Sequence, residues 1–138
     1  MLGRFSHVAF VVRNLDAAVA RFESLLGARL LEREYLAAAQ TEVALLELGG
    51  AQLELLSSTV PDSKIGRILA EKGEGIHHVS FEVQGIEREM SERRAAGVRL
   101  LDAAPRTGIH TRKVAFVDPA ETCGIQFEMV EEPPSHRP

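Results

Sequence analysis

Two halves of this chain repeat one pattern. "HVAFVV" at residues 7–12 and "HVSFEV" at 78–83 agree at four of six positions, with His7 over His78 at an offset of 71 residues. The same offset sets Leu15 over Ile86 and Val43-Ala44 over Val114-Ala115. An offset of 70 lays "GARLL" (27–31) on "GVRLL" (97–101), and one of 74 lays "GAQLELL" (50–56) on "GIQFEMV" (124–130). Four matches in one order describe a duplicated module of roughly 65 residues, joined by a connection near residues 57–74.

Within each module the periodicity is readable. "HVAFVV" is a short strand of β-branched and aromatic type. In "NLDAAVARFESLLG", Leu15, Ala18, Val19, Phe22, Leu25 and Leu26 recur at helical spacing, with Asn14 as N-cap and Gly27 as C-terminal stop. "ARLLER", "TEVALLEL" and "AQLELL" read as three strands, the last two joined by a turn at Gly49-Gly50. The second module repeats strand, helix and three strands, with a weaker helix over 86–96. Each module is βαβββ, and one such unit alone leaves a sheet face uncovered, so two must pack together. The expected fold is α+β, two tandem βαβββ modules in a single domain spanning 1–138. The first module covers 5–56, a linker 57–74, the second module 75–131, and a disordered tail 132–138. In the linker, Ser63 is placed to cap one or two helical turns.

Composition excludes several classes of function. The net charge is −4 and the 16 Lys and Arg are scattered, which leaves no nucleic-acid footprint. No apolar run approaches the ~18 residues that span a bilayer, and the N-terminal run is too short for a signal peptide. Cys123 is the sole cysteine, so no intrachain disulfide forms, and a reducing, cytoplasmic setting is expected.

Alternation along the strands sorts the polar residues. Leu53 and Leu55 should face the helix, which turns Gln52 and Glu54 the other way; likewise Phe127 turns inward and Gln126 and Glu128 outward. Strand acids are ordinarily solvated. The repeat adds His7 and His78 at equivalent strand starts, so each module offers one His and one Glu, 47 residues apart in the first and 50 in the second. His77 falls over Ser6 and faces away from His78, so the adjacent histidines are not a clamp. Two imidazoles and two carboxylates suit a divalent transition metal with open positions for water or substrate.

These residues resemble the vicinal oxygen chelate superfamily (glyoxalase, bleomycin resistance and dioxygenase proteins), whose paired βαβββ modules surround a metal cleft. The likeness covers about residues 5–131. Within the superfamily, "SHVAFVVRNLDAAVARFESLLGA", "LLELGGAQLELL", "DSKIGRILAEKGEGIHHVSFEV" and "CGIQFEMVE" are most similar to the methylmalonyl-CoA epimerases. The resemblance implies metal ligands His7, Glu54, His78 and Glu128, a divalent ion (Co²⁺, Mn²⁺, Ni²⁺ or Zn²⁺), an acyl-CoA substrate and a homodimer. It also implies interconversion of (2R)- and (2S)-methylmalonyl-CoA through a metal-stabilised enediolate, with Glu128 as ligand and base. That chemistry needs a base on each side of the planar intermediate. Val43 stands where some family members carry the second base, which leaves Glu47, or Glu42 if the strand is bulged. His110 matches a loop position near substrate, and Arg106, Arg112 and Lys113 are basic candidates for a CoA phosphate. Two alternatives share the fold: a glyoxalase-I-like lyase acting on a glutathione hemithioacetal, and a non-catalytic, resistance-type binding protein.

Overall fold

The computed structural model describes residues 2–134. Of the tail expected to be disordered, residues 135–138 lie outside the described residues. The chain forms two compact units, one of His7–His77 and one that joins the residues up to Ser6 with those from His78 onward.

The first unit takes its elements from the first repeat. Strand β1 is Phe5–Val11, helix α1 Leu15–Leu26, and strands β2, β3 and β4 are Arg29–Leu36, Thr41–Leu48 and Ala51–Ser57. The Asn14 side chain accepts a hydrogen bond from the Ala17 N–H, satisfying one of the unpaired donors at the start of α1. Gly27 ends the helix at φ 71°, a left-handed conformation that a side chain would oppose. Strand order is β2-β3-β4-β1, with β1 and β4 parallel and the others antiparallel. As alternation requires, Leu53 and Leu55 pack under Leu15 and Val19 of α1, with Ala44 and Leu46 from β3. Helix α2, Lys64–Lys72, follows. The Ser63 hydroxyl caps it by accepting from the Gly66 N–H, and a Cβ on Gly66 would meet the Val60 carbonyl oxygen at 2.2 Å, so only glycine fits there.

The second unit contains most of strand β5 (Gly75–Glu82), helix α3 (Ile86–Ala95) and strands β6 (Arg106–Thr107), β7 (Lys113–Phe116) and β8 (Phe127–Glu131), in the order β5-β8-β7-β6. Residues 2–6 join it: the Gly3 N–H donates to the Glu82 carbonyl (2.7 Å), the Arg4 side chain pairs with the Glu82 carboxylate (3.0 Å), and Phe5 meets Phe81 edge-on. Helix α3 buries a narrow stripe, Ile86 and Met90, against Ala115 and Met129. Phe127, expected inside, is only half-buried and stacks on Phe81, while Met129 fills the core.

The two halves diverge at one strand. The counterpart of β2 should lie at residues 97–101, yet only Leu100 makes a bridge there, to Val117. The ladder is interrupted after Leu101, at Asp102. Its carboxylate accepts the Phe116 N–H at 2.8 Å, a donor that a continued ladder would give to a backbone carbonyl, and pairing resumes only at the two-residue β6.

Candidate metal centre

In the first unit the register of parallel strands β1 and β4 pairs His7 with Gln52 and Ala9 with Glu54. His7 and Glu54 therefore share one sheet face, offset by two residues. Their side chains meet, His7 Nε2 lying 3.3 Å from Glu54 Oε2. The second unit repeats this construction. Ser80 pairs with Glu128, His78 stands two residues before Ser80, and His78 Nε2 lies 3.5 Å from Glu128 Oε2. All four side chains are buried, Glu54 being 8% and Glu128 5% exposed, so neither is the solvated strand acid that composition alone would suggest.

A buried carboxylate must be paired or coordinate a metal. Both N···O separations exceed the ~2.7–2.9 Å of a charge-assisted hydrogen bond. Two donors about 2.0–2.2 Å from one ion, at octahedral to tetrahedral angles, lie about 2.9–3.5 Å apart. Each pair thus has the spacing of two ligands on a shared ion, and the nitrogen–oxygen donor set suits a divalent transition metal.

The surroundings of the second pair are more elaborate. The Ser80 hydroxyl, wholly buried, donates to Glu128 Oε1 at 2.8 Å. The Phe116 ring abuts the His78 imidazole edge-on, with centroids 5.1 Å apart. The Arg106 guanidinium lies over the Phe116 ring, 5.4 Å from its centroid, and is held by Asp102 at 2.6 Å.

The remaining candidates fall in varied places. Glu47 shares the face of Glu54, since it pairs across to Gln52, but its carboxylate is bound to Arg29 at 2.7 Å. Glu42 is corrected: the β3–β4 ladder runs unbroken from Glu42 to Leu48, so no bulge turns it, and it lies on the α1 side beside Leu15, Arg33 and Tyr35. His110 is half-exposed in a tight turn, with left-handed backbone at His110 and Thr111. Arg106, read as a phosphate contact, is engaged by Asp102 and Phe116. Arg112 is 5% exposed and paired with Glu132 at 2.7 Å, and Lys113 pairs with Glu87 at 2.8 Å.

Two carboxylates escaped the sequence reading. A register shift between Leu30 and Glu32 sets Glu32 opposite Leu45 and Glu34 opposite Val43, which puts both acids on the face of Glu54. Glu32 Oε2 is sealed from solvent. In simple alternation these acids would fall with Leu30 on the helix side, because a one-residue slip reverses every later side chain.

A sequence model of the Glyoxalase/Bleomycin resistance protein/Dioxygenase superfamily matches residues 6–116. The uncharacterized protein YqjC of Bacillus subtilis is 30% identical over 130 residues, covering 94% of this chain and 93% of its own. Human mitochondrial methylmalonyl-CoA epimerase is 32% identical over 129 residues, covering 93% of this chain and 73% of its own. Among solved structures, a Streptomyces coelicolor methylmalonyl-CoA epimerase variant in complex with 2-nitronate-propionyl-CoA matches at TM-score 0.90 and 29% identity, covering 96% of this chain and 99% of its own.

Proposed function

The chain belongs to the glyoxalase, bleomycin resistance and dioxygenase superfamily and has its fold, and from that premise we propose that it is an epimerase interconverting (2R)- and (2S)-methylmalonyl-CoA. The observation that carries this reading is the pair of buried His–Glu sets at ligand spacing, one in each unit. The epimerases among its relatives support the acyl-CoA substrate.

In this reading His7, Glu54, His78 and Glu128 would be the ligands of a divalent ion, which would supply Lewis-acid stabilisation of negative charge on the substrate oxygens. Glu128 takes the α-proton from one enantiomer, and a second acid on the opposite face of the planar intermediate delivers a proton there to form the other. The opposing acid–base group comes from the first-unit carboxylates on the face of Glu54. Glu32 is the first choice, since it stands in the same cross-strand row as Glu54 and one of its oxygens is buried.

Deuterium wash-in at C2 of methylmalonyl-CoA, with and without added Co²⁺, tests the activity. Exchange that depends on the ion is expected, and no exchange with any divalent ion sinks the reading. Glu32→Gln should lose interconversion of the two enantiomers by about a hundredfold, the usual scale for removing a general base, while Glu42→Gln should retain it. A glyoxalase-I-like lyase also moves a proton beside a carbonyl, and a methylglyoxal–glutathione assay run alongside separates the two.

A further inference from the structure

The two His–Glu pairs are built alike but supported differently. The residue opposite Glu54 across the parallel ladder is Ala9, and its counterpart opposite Glu128 is Ser80. The residue opposite Glu54 on the antiparallel side is Leu45, and its counterpart opposite Glu128 is Phe116. At Ala9 there is only a methyl group. At Ser80 there is a fully buried hydroxyl, 2.8 Å from Glu128 Oε1, while the other oxygen of that carboxylate turns to His78. The Phe116 ring fixes the His78 imidazole from the side.

We infer that Ser80 is a positioning residue that holds Glu128 in a one-oxygen mode, with Oε2 directed to the ion and Oε1 retained by the hydroxyl. Glu128, the acid read above as the base, is the proposed ligand that the Ser80 hydroxyl engages. A serine hydroxyl suits that task because it donates to a carboxylate and, after rotating, accepts from a carboxylic acid. Both protonation states of Glu128 thus keep a buried partner, which avoids the penalty of an unsatisfied group at either stage. The role of Ser80 in proton transfer rests on the epimerase reading; its control of how Glu128 binds an ion does not.

Ser80→Ala and Ser80→Thr are compared with the wild type, each confirmed as folded by circular dichroism. Titration with Co²⁺ alone should give affinities within about threefold of one another. The visible Co²⁺ bands should weaken in Ser80→Ala, as the released oxygen joins the ion and raises its coordination number, and recover in Ser80→Thr. Proton exchange should fall at least about tenfold in kcat in Ser80→Ala with KM little changed, the scale of one hydrogen bond to a charged group, and return in Ser80→Thr. Unchanged Co²⁺ bands in Ser80→Ala overturn the inference, as does loss of Co²⁺ binding by that folded variant. If the wild type shows no exchange, the epimerase reading falls and the Co²⁺ bands alone decide the role of Ser80. If it does exchange and Ser80→Ala matches it, the proton-handling part falls while the epimerase reading stands.

Discussion

At the scale of single residues, the adjacent histidines of β5 show how much a strand's alternation decides. His78 is 3% exposed and aimed at Glu128, and its neighbour His77 projects to the other face. Replacing His78 with alanine should abolish binding of Co²⁺ in a titration, since one imidazole is removed from the ligand set. His77→Ala should keep Co²⁺ binding and alter only stability. Equal loss of the ion in both variants would contradict the face assignment. The same reasoning separates Glu54 from Leu53 and Leu55, whose side chains fill the core under α1. It does not reach Glu32 and Glu34. Their face depends on the register shift after Leu30, and nothing in "RLLEREYL" marks that shift.

At the scale of elements, α1 is the anchor of its unit and α3 the weaker counterpart. Leu55→Ala removes a fully buried side chain from beneath α1 and should destabilise the protein by about 2–5 kcal/mol in urea unfolding. A smaller effect would mean that the neighbouring side chains close the space. Helix α3 has only Ile86 and Met90 as large buried apolar groups, and it leans on ion pairs instead, among them Glu87 with Lys113 of β7 at 2.8 Å. The hydrogen bond from the Lys113 ammonium, helped by a backbone hydrogen bond, holds the Glu87 carboxyl below its ordinary value of 4.5. A carboxyl with a lowered folded-state pKa binds protons more readily in the unfolded chain, so its contribution is present above pH 4.5 and is lost as pH falls through the folded value. Wild-type stability should therefore drop more than that of Glu87→Gln between pH 6 and about pH 3, as followed by urea midpoints; parallel curves would show that the pair contributes nothing measurable. The missing strand at 97–101 belongs to this scale as well. Asp102 caps the ladder with its own carboxylate, and a single aspartate in a sequence does not announce which N–H it will capture.

For the whole molecule, the duplication and the ion are one subject, because each repeat supplies half of the proposed ligand set. An ion that binds only the folded protein stabilises it by about 2.7 kcal/mol at a free concentration about 100 times Kd. Removing divalent ions with a chelator should thus lower the melting temperature, and adding back Co²⁺ should restore it. A melting temperature that ignores both treatments would count against a shared ion.

The sequence by itself determined the paired βαβββ pattern, the helix caps at Asn14 and Ser63, and the faces of His7, Glu54, His78 and Glu128. All of these follow from local periodicity and from a repeat visible in the residues. Only the tertiary structure decided that β2 slips by one residue, that Asp102 replaces a strand partner, that Arg106 covers Phe116, and that Ser80 holds one oxygen of Glu128. Each of those depends on which atoms of two separate segments come within hydrogen-bonding or packing distance. Such a meeting is set by the register between strands, whereas the period of two within a strand is carried by the strand itself.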